Sequence, residues 1–283
     1  MNLLLDPLVQ RMLLAGMVVG IAAPIVGTYL VQRRMALLGD GIGHVALAGV
    51  AAGWLAGSLA GFAQRDALAL PGAIIFAVAG AAIIERMRSR GTAAADVVMA
   101  ILFYGGIALG VLLIGASGGT STNLLGYLFG SISTVSWTDV WISVILAGVI
   151  IAIGIGMRRA LFAVTHDQEF ASASGLPVEV LNMVVAVLAA ITITVAMRVV
   201  GVLLVSALMI VPVAIAQLIT HSFNRTMLIA MAIGAALTLT GIAITLYVNL
   251  QPGALIVVLG VATYSVVATV TSAQRRRRAR IAI

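Results

Sequence analysis

The chain has 283 residues, 62% of them hydrophobic and 9% charged, with a formal net charge of +7. Soluble domains are about half apolar and about a quarter charged, so this composition excludes a soluble enzyme, a disordered chain and a nucleic-acid-binding domain. What remains is an all-α, polytopic membrane protein, and at ~20 residues per span the length leaves room for about eight to ten spans. There is no cysteine, hence no disulfide framework and no thiolate metal site. Every basic residue is arginine. The missing lysine removes the phosphate-binding P-loop and Schiff-base chemistry, so the chain has no Walker motif of its own.

In chain order, nine apolar runs stand between short polar breaks: Leu8–Val31, Ile42–Phe62, Ala67–Ile84, Ala93–Ile114, Trp137–Met157, Val178–Met197, Gly201–Ile219, Thr226–Val248 and Ala254–Ser272. Leu124–Ile132 is too short to span and reads as a re-entrant or interfacial piece. The break Arg198-Val199-Val200-Gly201 reads either as a tight turn between two spans or as one broken helix. Arginine placement tests the count. Arg33, Arg34, Arg86, Arg88, Arg90, Arg158, Arg159, Arg225, Arg275 to Arg278 and Arg280 all fall in alternate breaks, 13 of the 16 arginines. Only Arg11, Arg65 and Arg198 lie on the other side. The positive-inside rule then predicts an outside N-terminus and a cytoplasmic C-terminus. The start reads as no cleavable signal, and no repeat at a 20–50 residue period is visible. The chain reads as one transmembrane domain over 1–283, with a basic tail over 273–283 that anchors topology and meets anionic lipid.

Ionisable residues inside apolar spans are costly and mark function by default. Asp40 and His44 open the second run, four residues apart and therefore on one helix face. A carboxylate beside an imidazole is half of a transition-metal site, and two copies related by a two-fold axis supply a four-ligand set. Counted from Arg34 at ~1.5 Å per residue, His44 lies roughly 15 Å deep in a ~30 Å hydrocarbon core. The alternative is an Asp–His pair that only holds helices together, or an aspartate that caps the helix. Asp96, just inside the fourth run, reads chiefly as an acid favoured by a helix N-terminus.

The second run continues with Gly49, Gly53, Gly57 and Gly61, with alanines one position earlier. Small residues every fourth position allow close helix approach in membranes. That pattern fits a seam between two copies and packing within one chain equally well. Gly16-x-x-x-Gly20 and Gly106-x-x-x-Gly110 are weaker versions. The longest cytoplasmic break holds Thr165-x-x-Gln168, a capping box, then Gly175 and Pro177, which end helices. It predicts a short helix of about nine residues near 165–176, with acids at its start and Phe170 exposed or docked. His166 and His221 have no ligand partner in sequence and read as solvated or interfacial.

These residues resemble a family, the permease subunits of bacterial ABC importers for zinc, manganese or iron(II). Gln32-Arg33-Arg34-Met35-Ala36-Leu37-Leu38-Gly39-Asp40-Gly41-Ile42-Gly43-His44 looks like that family's Arg-Arg, Gly-Asp and spaced His. Leu125–Ser131, Asp167–Gly175 and Arg198–Leu208 with Pro212 are similar to three further segments, so the likeness covers nearly the whole chain. The resemblance implies a type II ABC importer-like permease, not an enzyme and with no cofactor of its own, in the bacterial cytoplasmic membrane. It implies a homodimer, two ATPase subunits that use the ATP, and an extracytoplasmic metal-binding protein. It makes Asp40 and His44 ligands of the transported Zn2+ or Mn2+, and Asp167, Glu169, Phe170 and Gly175 part of an ATPase-coupling helix. Ala48 stands where manganese-type members often carry proline, which tilts the expectation to zinc. Two other readings remain open: an ion-gradient-driven transporter with Asp40 and Asp96 as proton sites, and a non-transporting membrane enzyme or scaffold.

Overall fold

The computed structural model describes residues 6–61, 65–90, 95–117, 126–130, 135–197, 200–248 and 250–281. Helices dominate: α1 (Pro7–Gln32), α2 (Leu38–Leu59), α3 (Ala69–Ser89), α4 (Ala95–Ala116), α5 (Trp137–Gly156), α6 (Arg158–His166), α7 (Gln168–Ala173), α8 (Val178–Ala196), α9 (Val202–Ile219), α10 (Phe223–Thr245) and α11 (Pro252–Ile281). Among the described residues eight helices are long and apolar enough to cross a bilayer, and α9 adds an apolar helix of 18 residues. The nine apolar runs thus correspond one to one with α1–α5 and α8–α11. The break before Gly201 separates two helices, α8 and α9; Arg198 and Val199 themselves lie outside the described residues.

The helix ends obey local chemistry. Asp6 caps α1 by accepting a 2.9 Å hydrogen bond from the Leu8 N–H, with Pro7 at the first helical position. Ser136 and Asp139 form a reciprocal capping box on α5. Helix α1 closes with the Arg34 N–H donating to the Val31 carbonyl (3.1 Å) and the Met35 N–H to Leu30 (2.9 Å). That is a Schellman closure, whose left-handed position normally holds glycine. Here it holds Arg34 at φ 57, the only positive-φ residue other than glycine among the described residues.

Packing has two centres. Helix α1 runs through the middle of one, surrounded by α5, α8, α9 and α10. Helix α2 is clasped in the other by α3, α4, α8 and α9. These two helices are the most buried, and α11 is the least. All apolar faces being equivalent in lipid, close backbone approach has to hold such a bundle. The α2 glycine stripe supplies it. A Cβ at Gly49 would lie 2.4 Å from the Gly72 carbonyl oxygen, and one at Gly53 would lie 2.1 Å from that of Leu68. Both glycines are buried against α3 of their own chain, and Gly57 is buried too. Gly49 and Gly53 therefore serve packing within the chain, one of the two readings the pattern allowed.

Residues 126–129 form one helical turn, too short to span, whose Tyr127 packs edge-on against Trp54 at 5.3 Å. Its backbone meets α9 so closely that a Cβ at Gly201 would lie 2.4 Å from the Leu128 carbonyl oxygen. Leu124, Leu125, Ser131 and Ile132 lie outside the described residues. The basic tail is not a separate appendage, because α11 continues helically to Ile281; the side chains of Arg275 to Arg280 are outside the described residues.

Candidate functional site

Asp40 and His44 occupy the first two turns of α2, one turn apart on one face. Their position is set by the glycines on either side of them. Gly39 leaves room for α9, since a Cβ there would lie 3.2 Å from the Ser206 Cβ. On the other side a Cβ at Gly106 would lie 2.7 Å from the His44 carbonyl carbon, so α4 reaches the α2 backbone itself. The pair is wedged between α4 and α9. Nothing in this arrangement uses Asp40 as a helix cap: α2 starts at Leu38, after Leu37, without a side-chain cap.

The two side chains differ in their partners. Asp40 is half-buried and accepts a short hydrogen bond from the Ser206 hydroxyl. His44 is buried, 5% exposed, with its ring edge-on to Phe103 at 4.2 Å. Its Nδ1 is buried without a hydrogen-bond partner. A buried unpaired ring nitrogen costs free energy that a bound ion would recover. Among the described residues no three His, Cys, Asp or Glu side chains converge. One chain therefore brings together two donors of the expected set and no more. The Asp96 side chain lies outside the described residues.

Ser206 escaped the sequence reading. It sits in the segment that carried the family resemblance, but a lone serine on an apolar helix gives no sign of its partner. The bond joins residues 166 positions apart.

The polar segment over 165–177 differs from its expected form. Thr165 lies near the end of α6, its hydroxyl donating to the Leu161 carbonyl at 2.6 Å, and it does not cap α7. Asp167 is the cap, accepting from the Phe170 N–H at 2.9 Å. Asp167 stands on extended backbone, from which its carboxylate reaches the third N–H, whereas Thr165 is already helical. The expected helix of about nine residues is therefore the six-residue α7. It closes on Gly175 at φ 79, with the Leu176 N–H donating to Ala171 at 3.0 Å. Phe170 is 66% exposed and Glu169 is exposed beside it. His166 is exposed and stacks on Phe162 at 5.6 Å, and His221 is exposed.

A many-helix membrane bundle with an acid–imidazole pair in its interior and an exposed short helix at one end is a transport permease in outline. The ABC 3 transport family model matches residues 5–271, and the chain belongs to that family. It is 32% identical over 248 residues to the manganese transport system membrane protein MntC of Halalkalibacterium halodurans, covering 88% of this chain and 82% of the relative. It is 29% identical over 269 residues to the manganese import system permease protein ScaB of Streptococcus parasanguinis, covering 95% and 92%. The solved structure of PsaBC from Streptococcus pneumoniae in complex with Fab superposes with a TM-score of 0.82 at 29% identity, covering 94% of this chain and 92% of that one. The chain is thus the membrane permease subunit of a metal ABC transporter; it is not an enzyme, and ATP hydrolysis belongs to separate subunits.

Proposed function

We propose that this chain is the permease of an ATP-driven manganese importer in a bacterial cytoplasmic membrane, and that Asp40 and His44 from two copies hold the ion in transit. The observation that carries this reading is the Asp40–His44 pair in the bundle interior, with a buried His44 Nδ1 that has no partner inside its own chain among the described residues. Two copies supply two carboxylates and two imidazoles. A carboxylate suits manganese, and an imidazole suits zinc and iron better, so the mixed set binds a divalent transition ion without locking it in.

Manganese replaces zinc as the first expectation. MntC and ScaB are manganese permeases by name. The zinc tilt rested on Ala48, and Ala48 turns out to be a packing position. It is 1% exposed, and its Cα would lie 3.6 Å from a Cβ at Gly110. It says how α2 meets α4 and nothing about ligands.

The energy for alternating access enters through partners. A pair of ATPase subunits docks on α7 and the two flanking residues Asp167 and Gly175, with Phe170 as the apolar contact and Glu169 as the charged one. Metal arrives from an extracytoplasmic binding protein, with the N-terminus of the permease outside and the arginine-rich helix ends in the cytoplasm.

Replacing His44 by Ala in cells that depend on this importer tests the reading. Manganese accumulation, measured separately from zinc, is expected to fall to background while the protein remains in the membrane. Unchanged manganese uptake at equal protein level would falsify the ligand role. Loss of zinc uptake alone would return zinc to first place.

A further inference from the structure

The end of the bundle where α1 and α3 finish holds a cavity of about 430 Å³ whose lining includes neither Asp40 nor His44. Six polar residues line it: Gln32, Arg33 and Arg34 from the end of α1, Arg88 from the end of α3, Thr165 from α6 and Gln168 from α7. Among the described residues its lining holds three guanidinium groups and no acid. Arg88 is committed to Glu85 through a 2.6 Å ion pair on its own helix. Arg33 donates one hydrogen bond to Asn182 on α8, but its Nε is buried without a partner. Burial, with the Arg88 guanidinium adding to it and Glu85 opposing, pushes Arg33 down to about 10, so it remains charged at neutral pH. Arg34 is exposed and has no acidic partner among the described residues.

Arg34 supplies an independent observation. It fills the left-handed position of a Schellman closure at φ 57, where glycine is the residue of least strain. A strained side chain that persists points to a use for that side chain. Two guanidinium groups without an acidic partner among the described residues, beside a third already paired with Glu85, are also unfavourable around one space unless an anion shares it. Arginine forks match the paired oxygens of a phosphate.

We propose that this cavity binds a phosphate oxyanion, held by Arg33 and Arg34 with Arg88, Thr165 and Gln168 around it. The phosphate comes either from a phospholipid headgroup or from free phosphate in the cytoplasm. Bound there, it ties the ends of α1 and α3 to the α6–α7 segment, the docking site of the ATPase under the proposed function. Phosphate binding itself does not depend on the metal carried.

The test uses the full-length protein in detergent. Native mass spectrometry counts phospholipid retained through purification, and calorimetry measures binding of inorganic phosphate. Arg34→Gly is the informative variant, because glycine suits the backbone there and the fold is retained. Arg86→Gln, on the same helix end as Arg88 but outside this cavity, is the control. Wild type and Arg86→Gln are expected to hold phosphate, and Arg34→Gly to hold it at least about tenfold more weakly. Retained phospholipid without saturable binding of inorganic phosphate assigns the lipid source, and saturable inorganic phosphate assigns the soluble one. The proposal fails if wild type binds neither, if Arg34→Gly binds as wild type does, or if Arg86→Gln weakens binding equally.

Discussion

Ser206 donates to Asp40, and the pairing makes a measurable demand on the site. A hydrogen bond to a carboxylate is worth about 1.5–3 kcal/mol, and here it fixes which way the carboxylate faces. Ser206→Ala is expected to lower manganese uptake about tenfold at unchanged protein level, with Ser206→Thr, which keeps the hydroxyl, recovering most of it. Uptake equal to wild type in the alanine variant would make the serine a packing residue. The contrast with Asp40 and His44 explains which residues a sequence exposes. In a chain with so little charge, an acid and an imidazole one turn apart inside an apolar run identify themselves through their cost. The serine costs little wherever it lies, and its role exists only once Gly39 has let α9 come close.

At the scale of elements, α7 is where local rules worked and one of them picked the wrong residue. Gly175 and the proline at 177 end the helix as their chemistry requires. The start was assigned to Thr165 because two nearby residues can satisfy the same capping pattern, and only the backbone decides which is extended. Asp167→Ala is expected to cost about 1 kcal/mol of local helix stability, visible as faster amide exchange across α7 with the rest of the bundle unchanged. Phe170 is the complement of that experiment. It is two-thirds exposed and contributes little to the fold, so Phe170→Ala is expected to leave thermal stability within about 0.5 kcal/mol of wild type. Co-purification of the ATPase subunit should nevertheless drop sharply. Full retention of the ATPase by that variant would move the docking surface elsewhere.

For the whole molecule, the number and order of the apolar helices were legible because hydropathy alone determines them, though one of the nine expected spans, α9, falls short of the eight helices long and apolar enough to cross a bilayer among the described residues. Which helices touch was not legible. The glycine stripe announces a close approach without naming the surface approached, and the structure sets Gly49 and Gly53 of it against the start of α3. Gly53→Leu is accordingly expected to cost about 1–3 kcal/mol or more through overpacking, read as a loss of monodisperse protein in size-exclusion chromatography. A well-folded single chain from that variant would restore the stripe to the contact between copies. The α2–α3 contact has a mechanical consequence as well. Backbone lies against backbone at Gly49, Gly53 and Gly72, so neither helix has a soft layer there on which to slide or roll. Helices α2 and α3 then behave as a single lever. One arm carries Asp40 and His44, the other ends in the Glu85–Arg88 pair near the end of α3. A push delivered at the end of α3 reaches the Asp40–His44 pair without crossing any joint loose enough to absorb it.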